Sequence, residues 1–325
     1  MKEYNIFIVA SPLQLLNSIE ACSHFKTRNN VLILIKTQDK NNILQMENLL
    51  GIFHWDKIIS IELPQTNLQR LLFSTTVKNK LQDLIQDHIE KVFVGEFRSD
   101  HITHIVNYLN AKKTYLVDDG TAVLFYDIYI KRTFKTTVRA FFYKLFYYKL
   151  NIIDFTFFTI FDLKEKQIVK NNYKYIKNIF QEKKYENSVF FIGQPLVELG
   201  MINENNYKLQ IKKILQSYEN KKFIYILHRR QNEKFIKKLS LELGFEYKRL
   251  EQLIELEMVL TSTIPSDFAT FYSTAIVTLP KLIDNCKFKA FKININNLNQ
   301  NSPHIKPLIK YYEEFSNSGI EVEAL

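Results

Sequence analysis

The stretch Tyr4-Asn5-Ile6-Phe7-Ile8-Val9-Ala10-Ser11-Pro12-Leu13-Gln14 decides how the rest of the chain is read. Its first six residues form a short apolar run with the length of a buried strand. Ser11 and Gln14 then have capping-box spacing, and Pro12 falls at the favoured first helical position. A strand that runs directly into a helix is the opening of a βαβ unit, and the alternation recurs along the chain. Strands are expected at Tyr4–Val9, Val31–Lys36, Lys57–Glu62, Lys91–Gly95 and Thr114–Asp118. A second series is expected at Ser188–Gly193, Phe223–Leu227, Phe245–Leu250, Thr274–Leu279 and Ala290–Asn294. Helical periodicity lies between them, as at Pro12–Phe25, Asn67–Ile89, Asn205–Tyr218 and Gln231–Leu243. The expected fold class is therefore α/β, with two Rossmann-like domains of parallel strands facing across a cleft. Their expected extents are 1–163 and 186–325, joined by a lysine- and asparagine-rich connector helix over 164–185.

Composition removes several chemistries. The 325 residues include only seven glycines, no two of them separated by a single residue, so neither G-x-G-x-x-G nor a Walker phosphate loop can be present. NAD, FAD and Walker-type ATP chemistry lose their support, and no cofactor is expected. Two cysteines, Cys22 and Cys286, exclude a disulfide scaffold or a cysteine-rich zinc site. Twelve aspartates occur without one D-x-D, which argues against a metal-bridged sugar-diphosphate donor, and no metal is expected.

The formal net charge of +10 favours an anionic partner. Nucleic acid is not expected, because the cations are widely spread and no nucleic-acid-binding signature stands out. The N-terminus lacks the regions of a signal peptide, no apolar stretch is long enough to span a bilayer, and the expected location is cytoplasmic. One segment suggests contact with the inner face of a membrane. Lys131–Leu150 mixes six cations with ten bulky apolar or aromatic residues and has no acid. Such a helix either lies on an anionic leaflet or packs its aromatics on its own domain with the lysines solvated.

In open parallel sheets ligands bind beyond the carboxyl ends of the strands. At the first strand end, Ser11 and Gln14 serve either as a plain helix cap or as donors facing the cleft. At the fifth lies Asp118-Asp119-Gly120: Asp-Gly suits a turn, which leaves Asp118 unexplained. Two adjacent carboxylates raise one pKa and suit a general base. His228 closes an apolar strand and precedes Arg229 and Arg230, a group of the size and charge to hold a phosphate. Asp100, His101 and His104 read as a solvated helix start rather than a metal face. The stretch Ile264–Thr274 reads as a capped helix start that leads into a strand, with Ser266, Ser273 and Thr274 offering hydroxyls to an anion.

The ordered set S-P-L-Q, D-D-G, G-Q-P, strand-His and I-P-S…Y-S-T, from Ile6 to about Leu279, resembles bacterial sialyltransferases of glycosyltransferase family 52, with their lipooligosaccharide and polysialyltransferase-like branches. That resemblance implies a fold of GT-B type, a CMP-activated nonulosonic acid donor and inversion at its anomeric carbon. Asp118-Asp119-Gly120 matches the family's acidic motif, His228 the histidine of its His-Pro motif, and Ser273-Thr274 its Ser-Ser/Thr motif. Two positions depart. Arg229 stands where the family has proline, and Leu196 stands where an acidic base follows the turn Gly193-Gln194-Pro195. The base is then one of Asp118 and Asp119, which is preferred, or Glu198, the nearest acid to Leu196. The resemblance also implies a carboxylate at the donor ribose, for which Glu255 fits best and Glu257 is the rival.

The expected activity is transfer of sialic acid from CMP-N-acetylneuraminic acid to a glycan acceptor, such as terminal galactose of lipooligosaccharide or capsule. Two readings stand beside it: a transferase using another CMP-nonulosonic acid (Kdo or pseudaminic acid) or building polysialic acid, and a protein without activity that binds anionic glycans or membranes.

Overall fold

The computed structural model describes residues 2–36, 39–131, 133–164, 166–179, 182–299, 302 and 305–325. The chain divides into two units, Met1–Tyr175 and Ile176–Leu325. In the first, β1 (Glu3–Val9), β2 (Asn30–Lys36), β3 (Lys57–Glu62), β4 (His88–Val94), β5 (Lys113–Val117), β6 (Thr156–Thr159) and β7 (Ile168–Lys170) form one parallel sheet, in the order β3-β2-β1-β4-β5-β6-β7. The crossovers carry α1 (Pro12–Phe25), α2 (Lys40–Leu50), α3 (Asn67–Leu81), α4 (Asp100–Leu109), α5 (Tyr126–Tyr129) and α6 (Phe134–Leu145), with α7 (Lys174–Asn178) at the boundary of the units.

The second unit holds β8 (Lys184–Ile192), α8 (Glu204–Gln216), β9 (Lys222–Ile226), α9 (Glu233–Leu243), β10 (Glu246–Lys248), α10 (Ile254–Leu260), β11 (Thr263–Thr270), α11 (Ala275–Leu282), β12 (Lys287–Lys292), α12 (Ile305–Asn317) and β13 (Glu321–Ala324). Its strands are again all parallel, in the order β10-β9-β8-β11-β12-β13. In each unit the first strand is central and the chain reverses its direction of growth beside it. This is the Rossmann-like order, with a switch point between β1 and β4 and another between β8 and β11.

Apolar runs such as Ile6–Val9 and Val189–Ile192 are buried over their whole length because helices cover both faces of a parallel sheet. Aromatic rings tie the strands of the first unit across the sheet. Phe7 stacks on Phe93 with centroids 4.6 Å apart, and Phe93 stacks on Tyr115 at 4.8 Å.

Four local expectations are corrected. The segment 164–185 does not form one connector helix: Ile168–Lys170 is the edge strand of the first sheet, among its described residues only Lys174–Asn178 is helical, and Lys184 already belongs to β8. The helix expected over Asn67–Ile89 ends at Leu81, since His88 and Ile89 belong to β4. Thr263–Thr270 is a strand paired on both sides, and the register shift between Pro265 and Asp267 falls where proline has no N–H to give to the ladder. The strand expected at Thr274–Leu279 is instead the start of α11, a helix so enclosed that its β-branched residues read as a buried strand.

Candidate active site

In the first unit the polar groups gather at the carboxyl ends of β1, β4 and β5. Ser11 caps α1, its Oγ accepting the Gln14 N–H at 3.3 Å, and the same hydroxyl donates to Asp119 Oδ1 at 3.1 Å. Asp119 Oδ2 accepts from Arg98 Nη2 at 3.0 Å. Arg98 in turn forks onto Glu96, its Nε lying 2.8 Å from Oε1 and its Nη2 bonding Oε2. Gly120, with φ of +66°, makes the turn that brings Asp119 to this place. The Asp119 side chain keeps 23% of its exposure. Burial and the Glu96 charge push its pKa up, while Arg98, Gln14 and Ser11 oppose the rise. Asp119 is thus a reachable carboxylate with raised proton affinity, which is what a general base needs.

Asp118 is a different kind of group. It is 3% exposed; its Oδ2 accepts the Ile160 N–H at 2.9 Å and its carbonyl accepts from Asn17 Nδ2 at 2.9 Å. Burial pushes its pKa up to about 7 against the pull of Thr159, Ile160 and Lys170. The Asp118 side chain is thus enclosed at the sheet end, where it fastens β5 to the segment after β6. Gln14 is likewise enclosed. It is 2% exposed, its Oε1 accepts the Ala10 N–H at 2.7 Å, and its side chain lies so close over Gly95 that a Cβ there would meet its Cγ at 2.3 Å.

In the second unit the corresponding ends are those of β8, β9 and β11. His228 follows β9 and is half-buried. Its Nδ1 accepts the Arg230 N–H at 3.1 Å, so the neutral ring carries its proton on Nε2. Gln231 fixes this loop from beneath. It accepts the His228 N–H at 2.9 Å through Oε1 and donates through Nε2 to the Gln194 carbonyl at 2.9 Å and the Tyr225 hydroxyl at 2.7 Å. Tyr225 and Tyr207 share a buried hydroxyl–hydroxyl bond. Gly193 borders this network, and a Cβ there would come within 2.4 Å of both Gln231 Oε1 and the Tyr225 hydroxyl.

Ser273 and Thr274 stand at the entry to α11. Thr270 Oγ1 donates to the Ile192 carbonyl at 2.8 Å and accepts the Ser273 N–H at 3.2 Å, which pins this corner to the end of β8. Ser273 Oγ accepts the Ala275 N–H at 3.3 Å. His228, Gly193, Ser273 and Thr274 therefore follow three neighbouring strands at one edge of the sheet, while Arg229, half-buried, follows His228.

Ser266 does not join them. It lies in the first half of β11, where its hydroxyl donates to Asp267 Oδ2 at 2.6 Å and accepts from Lys221 Nζ at 3.0 Å. Four strand residues at about 3.3 Å each separate it from the carboxyl end. Glu198 is exposed and accepts the Asn232 N–H at 2.6 Å, just before α9. Glu255 is 2% exposed, accepts the Thr278 hydroxyl, and has an Oε2 that is buried with no hydrogen-bond partner; burial raises its pKa. Glu257, half-buried, accepts from Gln252 at 2.6 Å.

Three residues that hold the candidate groups were not foreseen: Glu96, Arg98 and Gln231. The signal for the first two was Gly95, a glycine trailing a strand. Among the described residues, Glu3, His88 and Glu90 form the one group with metal-ligand spacing. It sits at the amino ends of β1 and β4, away from Asp119, and Lys91 and Lys112 already pair with Glu90 at 3.5 and 3.6 Å. The solvated helix start expected at Asp100, His101 and His104 is corrected in part: the helix does start at Asp100, which pairs with Arg139, but His101 and His104 pack into an aromatic cluster with Tyr148, and His104 is fully buried. No described helix is long and apolar enough to cross a membrane.

Two parallel Rossmann-like units with polar groups at the switch-point ends of both sheets are the build of GT-B glycosyltransferases and their relatives. S. aureus MnaA in complex with UDP has 13% identity over 97% of this chain and 91% of its own, with a TM-score of 0.54. The Neisseria meningitidis UDP-GlcNAc 2-epimerase bound to UDP-GlcNAc has 11% identity over 99% and 95%, with a TM-score of 0.50. These likenesses establish the fold. No curated protein matches the chain. A model of the alpha-2,8-polysialyltransferase (POLYST) family matches residues 5–292. The protein belongs to that family, and with it to the sialyltransferase type of glycosyl transfer.

Proposed function

We propose that the protein is an inverting sialyltransferase, akin to glycosyltransferase family 52, that moves sialic acid from CMP-N-acetylneuraminic acid to a glycan hydroxyl. The observation that carries this reading is Asp119. It is the reachable member of the family's acidic pair, held by Ser11 and Arg98 at a strand end, with its proton affinity raised. Asp119 takes the proton of the acceptor hydroxyl as that oxygen attacks the anomeric carbon. The bond from this carbon to the CMP phosphate breaks, and its electron pair leaves with CMP.

His228 has the donor to receive that phosphate, since its Nδ1 is occupied by the Arg230 N–H and its proton sits on Nε2. Ser273, Thr274 and Arg229 assist, and Gly193 keeps the adjacent strand end slim. Glu255 is proposed for the ribose hydroxyls, on the strength of its unpartnered Oε2. CMP leaves as a monophosphate, so no cation is needed to bridge a diphosphate.

The test is CMP release from CMP-N-acetylneuraminic acid in EDTA, with lactose, with oligosialic acid and with no acceptor. Release that depends on either acceptor supports the reading, and the responsive acceptor tells single transfer from chain extension. No release from folded protein, with Kdo and pseudaminic acid donors equally inert, would overturn it.

A further inference from the structure

We infer that α6 and the turn after it form a docking surface for an anionic lipid bilayer, independently of the transfer reaction. Val138, Phe141, Phe142 and Leu145 fall at i, i+3, i+4 and i+7 and so share one helix face. In a domain helix this stripe is normally the buried one. Here it is turned outward, with exposures of 38%, 63%, 54% and 59%. The helix is nevertheless firmly seated by its other side. Ala140 is buried, Arg139 bonds Asp100 at 2.8 Å, and Tyr143 stacks on Tyr148 at 4.7 Å. Tyr148 in turn packs on His104 and Phe73, and its hydroxyl donates to the Arg70 carbonyl at 2.8 Å. The apolar stripe is therefore presented outward by a packed seam.

The surface continues beyond the helix. Phe146 and Tyr147 are exposed, and Ser74 Oγ donates to the Tyr147 carbonyl at 3.1 Å, which brings up α3 with its own exposed Leu71 and Leu72. An apolar area of this kind on a soluble unit marks an interaction site. Charge selects the occupant. Between Asp127 and Asp154 the chain has no acid, and Lys131, Lys144 and Lys149 of that segment are exposed. Aromatics at the headgroup boundary with lysines reaching lipid phosphates fit an anionic leaflet. A second copy of this chain fits poorly, because a self-complementary contact would set this rim of cations against its own image.

The experiment is sedimentation of the full chain with phosphatidylcholine vesicles, with and without phosphatidylglycerol. Phe141→Ser/Phe142→Ser and Lys144→Glu/Lys149→Glu are compared with the parent, and melting temperature and CMP release on a soluble acceptor are measured alongside. The expected result is binding only to the vesicles with phosphatidylglycerol. Each double variant should weaken it by about tenfold or more, with melting and soluble-acceptor turnover unchanged. Absence of vesicle binding, binding that ignores phosphatidylglycerol, or undiminished binding by both folded variants would overturn the inference. So would a dimer of the parent that Phe141→Ser/Phe142→Ser dissolves, which would assign the face to a second copy.

Discussion

Asp118 and Asp119 are adjacent in the chain, yet one is enclosed behind β6 while the other keeps 23% of its side-chain exposure beside Arg98. Successive side chains at a strand end point to different sides, so two neighbours of the same chemistry take different work. Asp119→Asn should lower turnover by about 10²–10⁴ with little change in melting temperature, because a partly exposed carboxylate is replaced by its isostere. Near-full turnover in that variant would remove Asp119 from the reaction. The neighbours of Asp119 set its titration in opposite senses, Glu96 raising it and Arg98 lowering it. Arg98→Gln should move the acidic limb of the pH–rate profile to higher pH, and Glu96→Gln should move it lower. The sequence made the acidic pair visible and left the choice within it open, because burial is a property of the Ile160 N–H arriving from a strand more than forty residues later. Arg98 was hidden for a similar reason: its partner Asp119 is brought to it by the sheet.

At the level of elements, the strand ends work because side chains from the following loops fill the space beneath them. Gln231 lies three residues after His228 and satisfies the His228 N–H, the Gln194 carbonyl and the Tyr225 hydroxyl together. Gln231→Leu removes all three bonds; the Tyr225 hydroxyl keeps Tyr207 and the Gln194 carbonyl keeps the Leu196 N–H, so the His228 N–H is the group that loses its partner, at about 1–3 kcal/mol where water cannot replace the bond. A fall in the urea midpoint together with a larger fall in turnover is expected, since the histidine loop loses its anchor. Gly193→Ala should act through the same network, as its Cβ would meet two buried polar atoms at 2.4 Å. A variant as stable and active as the parent would show that the loop can shift at no cost. The opening element α1 was legible to the residue, because its cap and first-turn proline are local signals. The exchange of helix and strand around Ser273 has a physical origin. Pro265-Ser266-Asp267 looks like a helix start and Ile276-Val277-Thr278 like a strand, and only pairing with β8 and β12 overrides these local preferences.

For the whole molecule, the alternation of strand and helix sufficed to give two α/β units, because a parallel sheet covered on both faces writes its burial into continuous apolar runs. It did not foresee β7, a three-residue edge strand in a polar stretch whose membership of the first sheet rests on pairing with β6. The assembled fold also combines titrations that no single segment contains. His101 and His104 are held neutral, their pKa values pushed down to about 4 by burial. The unfolded chain, with histidines near 6.5, binds more protons than the fold between about pH 4 and 6.5, so these two groups make stability rise with pH there. Asp118 works in the opposite sense. Its pKa of about 7 means that the fold keeps a proton the unfolded chain has released above about pH 4. Its contribution is complete below that pH and is lost as pH climbs through 7. The raised carboxyls of Asp119 and Glu255 add to that side. The two proton balances oppose each other in the parent between pH 5 and 6.5, so each offsets part of the other's pH dependence. Asp118→Asn removes one opposing term and should make the midpoint fall more steeply on acidification over that interval, while His104→Phe should make it fall more steeply as pH rises. Parallel curves for all three proteins would show that these buried groups titrate in the fold as they do in the unfolded chain.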